Sequence, residues 1–350
     1  MHIVQLFPGV VPPVDYGGIE RVIFWVSREL VRRGHRVTLI ARPESEIETA
    51  VPGTRLTAWV EETPDYRSLL PPDADVAHFH MPPRLDQLPE LPYVCTMHGN
   101  WRRFRSHAPN TVFVGRNHAR NHGGEWYVMN GVPVDEFTLE TSKDDYMLFM
   151  ALLRMRSKNA KTLAHLAIDT GVPAVFAGGD LWNTRRISGW WKLHARFHRE
   201  LLREVGFVAG ERKLRLLQRA RLLFYLVNFH EPGALGPLEA LACGTPVLAS
   251  PNGVLPEYIE HGSNGFICRT YGEAIDAVRQ IAAMGSDQTA QLAMRCRDSA
   301  LTTENCVDRY LELYDQVIRN RYLYPPGDAR ELYYRRPRPR RIRCWYPRRF

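Results

Sequence analysis

Short apolar runs alternate with amphipathic helical segments along most of the 350-residue chain. The runs are nearly continuous stretches of apolar residues, which is typical of parallel strands that are covered on both faces. Between the first two runs, Val22, Ile23, Val26 and Leu30 recur at helical spacing, and Gly34 follows as a stop signal. Strands that alternate with helices predict an α/β fold with doubly wound parallel sheets.

The alternation occurs twice, which is consistent with two domains in a chain of this length. The strands predicted in the first half are His2–Phe7, Arg36–Ala41, Arg55–Val60, Asp75–Phe79, Tyr93–Met97, Thr111–Val114 and Trp126–Met129. Those predicted in the second half are Tyr146–Ala151, Pro173–Ala177, Leu222–Val227 and Thr245–Ala249. We predict a first Rossmann-like domain at 1–138, a second at 139–305, a last helix at 306–322 and a basic tail at 323–350.

Charge, cysteine content and the lack of long apolar runs indicate where in the cell the protein is expected. The net charge is +8, and residues 323–350 hold nine arginines but only two acids, so the rest of the chain is nearly neutral. None of the six cysteines forms a CxxC pair, which predicts buried free thiols rather than a disulfide framework or a zinc site. There is no run of 18 apolar residues, and the N-terminal residues have the pattern of a strand rather than of a signal peptide. These features predict a cytoplasmic protein.

The segment HEPGALGPLEALACGTPV, residues 230–247, carries the strongest functional signal. Glu231 lies in a Pro/Gly-rich turn after an apolar run, and Glu239 lies on the following helix, which we expect to end at Gly244. A turn that leads into a helix N-terminus collects backbone N–H groups and favours a bound anion. A carboxylate in the same turn accepts hydrogen bonds from sugar hydroxyls. The combination predicts a site for a nucleotide-sugar.

This segment resembles the E-x7-E signature of retaining glycosyltransferases of the GT-B fold, especially glycosyltransferase family 4, and the resemblance extends over most of the chain. The matching residues are Glu231, Pro232, Glu239, Ala240, Cys243, Gly244, Thr245, Pro246 and Val247. Gly233 and Ala234 replace the usual Phe-Gly. The resemblance implies two Rossmann-like domains facing a cleft. It also implies retaining transfer from a nucleoside-diphosphate sugar to a hydroxyl of a glycan, a lipid-linked or a small-molecule acceptor.

The resemblance also assigns roles within the E-x7-E segment. Glu231 would bind donor sugar hydroxyls, assisted by the backbone amides of Gly233, Ala234 and Leu235. Glu239 would bind the ribose, because a carboxylate accepts two neighbouring hydroxyls well. As a carboxylate open to the ligand, Glu239 is expected to be dispensable for folding.

Two features of the first half complete the expected site. Gly17 and Gly18 precede a predicted helix, so their amides would approach the donor diphosphate without interference from Cβ atoms. His98 follows the strand Tyr93–Met97 and, by the resemblance, would orient the sugar at the reacting centre. His80 ends the preceding strand and is compatible either with a place beside the acceptor or with a structural hydrogen bond.

The expected phosphate clamp departs from the family pattern, which is Gly-Arg, four residues, then Lys-Gly. Lys158 matches the lysine, but a leucine stands at the arginine position. A leaving diphosphate needs cations nearby, so we predict Arg154 as the displaced second cation, with Arg156 as the next candidate. Fixed cations and N–H dipoles would serve in place of a metal, so no metal ion and no cofactor is expected.

Two other classes of function remain open. The altered clamp is also compatible with a catalytically degenerate GT-B protein that binds a nucleotide or a glycan. The Arg-rich tail, which contains Trp345, Tyr346 and Phe350, is compatible with a protein that acts on nucleic acid or on a membrane. We favour peripheral contact of residues 323–350 with anionic lipid at the inner membrane face and expect no nucleic-acid partner.

Overall fold

The computed structural model describes residues 1–13, 17–60, 65–83, 88–100, 108–179 and 197–323. Within these ranges the chain divides into two compact units, one formed by residues 1–133 with 301–323 and the other by residues 134–300. Nearly all of the predicted basic tail, and Asp15 and Tyr16 of the first glycine-rich loop, lie outside the described residues. A search of the described helices for one long and apolar enough to span a bilayer finds none.

The described strands are β1 (His2–Leu6), β2 (Arg36–Ala41), β3 (Thr54–Ala58), β4 (Val76–Phe79), β5 (Tyr93–Met97), β6 (Thr111–Phe113), β7 (Met147–Met150), β8 (Ala174–Ala177), β9 (Leu202–Gly206), β10 (Leu222–Tyr225), β11 (Val247–Ala249) and β12 (Gly265–Ile267). The described helices are α1 (Gly18–Arg32), α2 (Ile47–Ala50), α3 (Arg116–Asn121), α4 (Ala160–Thr170), α5 (Gly210–Arg219), α6 (Leu235–Ala242), α7 (Tyr271–Ala282), α8 (Ser286–Asp298) and α9 (Thr303–Asn320).

Each unit contains a parallel sheet of six described strands. The first sheet has the order β3-β2-β1-β4-β5-β6, and the second has the order β12-β11-β10-β7-β8-β9. All the strand pairs within both sheets are parallel. In each sheet the strand order reverses beside the first strand of the unit, β1 or β7. Parallel α/β sheets bind ligands at the carboxyl ends of strands near such a point. The prediction of an α/β fold with two parallel sheets is confirmed.

One predicted strand was wrong, and two edge strands of the second sheet were missed; one of these, β12, has only three residues, GFI. Trp126–Met129 is not a strand, because its pairing with β6 is limited to a single bridge between Tyr127 and Phe113. The edge strand β9 was not predicted, because its sequence, LREVG, mixes charged and apolar residues. An edge strand tolerates that composition, since one of its sides has no neighbouring strand to pair with.

One face of the first sheet carries a layer of buried polar residues near the carboxyl ends of its strands. Side chains two residues apart on a strand share a face, and this places Gln5, His78, His80, Thr96 and His98 on the same side. The last helix, α9, closes over part of this layer. Tyr314 and Thr96 lie 2.7 and 2.8 Å from the two nitrogens of His78, and Tyr310 lies 3.0 Å from Thr96. These buried polar groups have the partners that burial demands.

Acidification is expected to destabilise the first unit. Burial lowers the pKa of His78 to about 3 and that of His80 well below its ordinary value. Below pH 6.5 these histidines therefore bind protons in the unfolded chain but not in the folded chain. Their contribution to the free energy of unfolding is fully present above pH 6.5 and is lost as the pH falls from there towards 3. Each histidine should lower the free energy of unfolding by about 1.4 kcal/mol per pH unit below 6.5.

Urea unfolding at pH 7.5 and at pH 5.5 measures this dependence. A folded His78→Gln variant should show a shallower pH dependence than the wild-type chain, because one of the imidazoles whose pKa is lowered by burial is gone. If the free energy of unfolding depended equally on pH in both chains, the lowered pKa of His78 would be contradicted.

Five cysteines have free, buried thiols, as predicted for them: Cys95, Cys243, Cys268, Cys296 and Cys306. The sixth, Cys344, lies outside the described residues. Within the described ranges no group of three or more His, Cys, Asp or Glu side chains is placed to hold a metal ion.

Candidate active site

A lysine, a glutamate and a tyrosine meet at the carboxyl end of β10. Lys158 Nζ donates to Glu231 Oε2 over 2.9 Å and to the hydroxyl of Tyr225 over 2.8 Å. Tyr225 in turn donates to the same Oε2 over 2.8 Å. Glu231 is only 7% exposed and Tyr225 8%, so the ion pair is largely shielded from water. We call these three residues the lysine–glutamate cluster.

The cluster uses only part of its hydrogen-bonding capacity. Among the described residues, the hydrogen bonds of Glu231 to other side chains both fall on Oε2, which leaves Oε1 open to a ligand hydroxyl. An ammonium group has three N–H donors, and the cluster engages two of those of Lys158. The lysine also lies within 4.9 Å of the ring centroids of Tyr225 and Phe229, which adds cation–π attraction. The arrangement offers a ligand one cation and one acceptor oxygen in contact with each other.

The turn that carries Lys158 is fixed by backbone contacts. Gly178 has a φ of +124°, and a Cβ at this position would lie 2.0 Å from the carbonyl oxygen of Ala151. The amide of Leu153 donates to the Gly178 carbonyl over 3.1 Å. At the other end of the turn, Asn159 adopts a left-handed conformation, and its side-chain amide donates to the Leu226 carbonyl over 3.0 Å. The lysine is thereby positioned between β8 and β10.

The backbone of Glu231 is held by Gly253. The two residues form an isolated parallel bridge, and Val254 donates from its amide to the Glu231 carbonyl over 2.9 Å. Gly253 has a φ of +71°, and a Cβ there would lie 2.1 Å from the Glu231 carbonyl oxygen and 2.3 Å from its nitrogen. Only glycine allows this approach without a backbone shift.

Helix α6 begins close to Glu231 and has no side-chain cap. Its N-cap residue, Ala234, is extended and makes no side-chain hydrogen bond to the first turn. The N–H groups of a first helical turn have no partners within the helix and attract anions. Gly233, Ala234 and Leu235, whose amides were predicted to assist Glu231, are thus at the positive end of a helix beside the lysine–glutamate cluster.

Glu239 is buried more deeply than the sequence suggested. It is 1% exposed, and its Oε1 lies 2.7 Å from Nζ of Lys213 on α5. The expectation of a carboxylate outside the packed interior was wrong, and a loss of stability is now expected on its removal, because losing one partner of a buried ion pair leaves the other charge uncompensated. Its assignment to the ribose stays a prediction.

Glu239→Ala is expected to lower the free energy of unfolding by about 3 kcal/mol, because Lys213 loses its partner. If Glu239 also binds the ribose, the same change costs roughly 2–4 kcal/mol in donor binding. The double variant Lys213→Met/Glu239→Leu should recover stability, since no charge is left unpaired, but not donor binding. Urea unfolding and donor titration of both variants measure the two effects separately. Full donor affinity in the double variant would rule out the ribose assignment.

The predicted second cation is not in the cluster. Arg154 is exposed in the turn before the 3-10 helix Arg156–Lys158, and within the described part of the chain it makes no hydrogen bond or ion pair. Arg156 is exposed as well. Both arginines therefore remain candidates that would have to move towards a bound diphosphate.

In the first unit, the predicted residues lie at strand and helix ends. Gly17 is the N-cap of α1, and a Cβ at this position would lie 2.3 Å from Oε2 of Glu20, so the Glu20 carboxylate already packs against Gly17. A Cβ on Gly18 would meet no atom of the described residues within 4 Å. His98 follows β5 and is half-buried. Its Nε2 lies 3.0 Å from Nδ1 of His80, and burial lowers the pKa of His98 to about 3. His98 is therefore a neutral imidazole at neutral pH.

Sequence reasoning missed Tyr225, Asn159, Gly253 and Lys213. Tyr225 lies inside the predicted strand Leu222–Val227, and only the observed end of β10 at Tyr225 places it at the ligand-binding edge of the sheet. Gly253 follows an asparagine, as glycines in left-handed turns often do. Nothing near Lys213 in the sequence indicates its pairing with Glu239, 26 residues away.

Two family models match the chain. The model described as Glycosyltransferase Family 4 matches residues 16–131, and the model described as Glycosyl transferases group 1 matches residues 142–302. The chain belongs to the family 4, group 1 glycosyltransferases. The family predicted from the E-x7-E segment is therefore confirmed.

Similarity to individual family members is low in sequence and high in fold. The chain is 31% identical over 103 residues to N-acetyl-alpha-D-glucosaminyl L-malate synthase of Bacillus anthracis, and the match spans only 27% of that relative's length. A glycosyltransferase involved in avilamycin A biosynthesis is similar over 91% of this chain and 98% of its own, with a TM-score of 0.70 and 23% identity.

An Anabaena protein solved in complex with UDP and glucose is similar over 90% of this chain and 100% of its own, with a TM-score of 0.66 and 15% identity. At such identities the solved structures establish the fold alone. That fold is GT-B, as predicted.

Proposed function

We propose that this member of the family transfers a sugar from a nucleoside-diphosphate sugar to an acceptor hydroxyl with retention of the anomeric configuration. The observation that carries the proposal is the lysine–glutamate cluster beside the uncapped N-terminus of α6. A cation and helix N–H groups suit a phosphate, and a carboxylate with one open oxygen suits a sugar hydroxyl. UDP-sugars are the first donors to test, because a structural neighbour was solved with UDP and glucose.

In the proposed reaction the bond between the anomeric carbon and the diphosphate oxygen breaks, and a bond from that carbon to the acceptor oxygen forms. The acceptor proton passes to the leaving phosphate. Negative charge grows on the diphosphate as the bond breaks, so Lys158 and the α6 amides stabilise the transition state more than the ground state. Glu231 holds a sugar hydroxyl through Oε1. These fixed charges act without a metal ion, so full activity in the presence of EDTA is expected.

The first unit contributes a second set of groups to the proposal. The amides at the start of α1, including those of Gly17 and Gly18, bind phosphate oxygens, and His98 orients the sugar. Arg154 supplies a second cation if its exposed side chain turns towards the diphosphate.

A donor panel tests the proposed function. The full chain is mixed with uridine, adenosine, guanosine and thymidine diphosphate sugars, and the melting temperature and the hydrolysis of each donor are measured. One donor is expected to raise the melting temperature and to be hydrolysed slowly. NMR of the released or transferred sugar then shows whether the anomeric configuration is retained, and an inverted product would refute that part. Binding without any turnover would instead support the catalytically degenerate alternative.

The acceptor is proposed to be a glycan, a lipid-linked or a small-molecule hydroxyl compound. The arginines of residues 323–350 favour a lipid-linked acceptor at an anionic membrane, with each cation contributing about 1 kcal/mol near the surface. Co-sedimentation with anionic and neutral vesicles, for the full chain and for a truncation after Tyr322, tests this contact. Anionic vesicles should retain the full chain only, and equal retention of both proteins would remove the membrane contact.

A further inference from the structure

A line of hydrogen bonds in the first unit ends at His98. The Nε2 atom of His98 lies 3.0 Å from Nδ1 of His80, and the two rings are inclined by 22°. On the other side of its ring, His80 Nε2 lies 2.9 Å from Oε1 of Gln5. The amide nitrogen of Gln5 donates to the hydroxyl of Ser27 over 2.6 Å. Because His80, Gln5 and Ser27 are fully buried, water does not compete for these bonds.

The direction of these bonds determines which nitrogen of His98 carries the proton. The carbonyl oxygen of Gln5 only accepts, so His80 Nε2 must be the protonated nitrogen that faces it. A neutral imidazole has a single N–H, and burial lowers the pKa of His80 well below its ordinary value, so its Nδ1 is an acceptor. His98 therefore donates from Nε2, and its Nδ1 keeps a lone pair. That nitrogen has no hydrogen-bond partner in the described part of the chain.

We propose that His80, Gln5 and Ser27 are positioning residues that hold His98 as the Nε2–H tautomer, so that its Nδ1 lone pair selects a sugar hydroxyl over a carboxylate. The inference rests on the proposed function, in which the donor sugar reaches His98. A lone pair accepts a hydrogen bond from a hydroxyl but repels an anionic oxygen. The site then prefers a neutral sugar with a hydroxyl at this position to the corresponding uronic acid.

NMR of the ligand-free full chain tests the tautomer directly. With nitrogen-15 in the histidine rings, two-bond couplings show which ring nitrogen is protonated, and a His98→Gln variant identifies the His98 signals. The Nε2–H tautomer is expected at neutral pH. The Nδ1–H tautomer, or a doubly protonated ring, would overturn the proposal. This measurement needs no substrate, so it stands even if the proposed function fails.

Two variants separate positioning from general structural damage. Gln5→Met removes the acceptor that faces His80, so His98 should become a mixture of tautomers and kcat/KM should fall about three- to tenfold. Thr96→Val is the matched control, because Thr96 lies on the same sheet face but bonds to His78 and Tyr310 rather than to this line. It should keep the tautomer and kcat/KM within about twofold of the wild-type value. Equal losses in both variants, with the tautomer unchanged, would overturn the positioning role.

Donor analogues test the selection. With the preferred nucleotide-sugar identified, the wild-type chain should discriminate strongly against the matching uronic acid and against a deoxyfluoro sugar, which accepts but does not donate a hydrogen bond. Gln5→Met should discriminate less against the uronic acid. Unchanged discrimination in a variant with mixed tautomers would refute the selection by Nδ1.

Discussion

Replacing Lys158 by methionine is expected to lower kcat by about 10²-fold or more. The lysine is the cation that contacts Glu231, and loss of a charge that stabilises a leaving group has an effect of this size. Lys158→Met also leaves the carboxylate of Glu231 buried without its counter-charge, so stability should fall as well. Steady-state kinetics with the donor that the panel selects, together with urea unfolding, measure both effects.

A double variant separates catalysis from stability. Lys158→Met/Glu231→Gln removes both charges and should regain much of the stability, while kcat stays low. Arg154→Ala serves as the comparison for a nearby exposed cation. An equally large loss of kcat in Arg154→Ala would establish the displaced arginine as the second member of the clamp. Full activity in Lys158→Met would contradict the role assigned to the cluster.

Gly253→Ala is expected to abolish most of the activity although residue 253 carries no functional group. A Cβ at this position meets the Glu231 backbone at 2.1 Å, so the two backbones must move apart, and this displacement disturbs the contact of Glu231 with Lys158. The left-handed conformation adds about 1–2 kcal/mol of strain. Activity should therefore fall more than tenfold, because a small displacement of a catalytic group is costly.

Gly262→Ala is the matched control. Gly262 has a φ of +82°, but a Cβ there meets no atom of the described residues within 4 Å. This variant should carry the strain of about 1–2 kcal/mol and keep its activity. Circular dichroism and urea unfolding confirm that both proteins are folded at the assay temperature. Equal activity of the two variants would show that Gly253 does not fix the position of Glu231.

Much of the fold was predictable because buried parallel strands have uninterrupted apolar sequences. β2 and β5 were predicted with their observed bounds. The edge strand β9 was not, since a strand with one open side does not need an apolar sequence. The strand predicted at Trp126–Met129 was wrong because local composition does not reveal how many residues of a neighbouring strand are available for pairing.

The resemblance identified Glu231 and Lys158, but their contact was not predictable from the sequence. The two residues are 73 positions apart, and their distance depends on the pairing of β7 with β10. Burial of Glu239 was predictable in principle. Its helix, LGPLEALA, is apolar on nearly all sides, and such a helix lies inside a domain. The expectation of an open carboxylate followed the assigned role rather than this pattern.

The buried polar side chains around His78 and His80 show a different limit of prediction from sequence. His78 and His80 alternate with Ala77 and Phe79, so the sequence shows that one face of β4 is polar. It does not show what satisfies that face. Gln5 comes from β1, Ser27 from α1 and Tyr314 from the last helix, and only the folded chain brings them together.

Calorimetric titration of the full chain with the donor from the panel tests the central claim most directly, because it measures donor binding at the lysine–glutamate cluster without requiring an acceptor. The wild-type chain is expected to bind one nucleotide-sugar per molecule, and folded Lys158→Met/Glu231→Gln is expected to bind it at least tenfold more weakly, through loss of charge-assisted hydrogen bonds. Equal affinity of the two proteins, or no binding of any nucleotide-sugar by the wild-type chain, would contradict the claim.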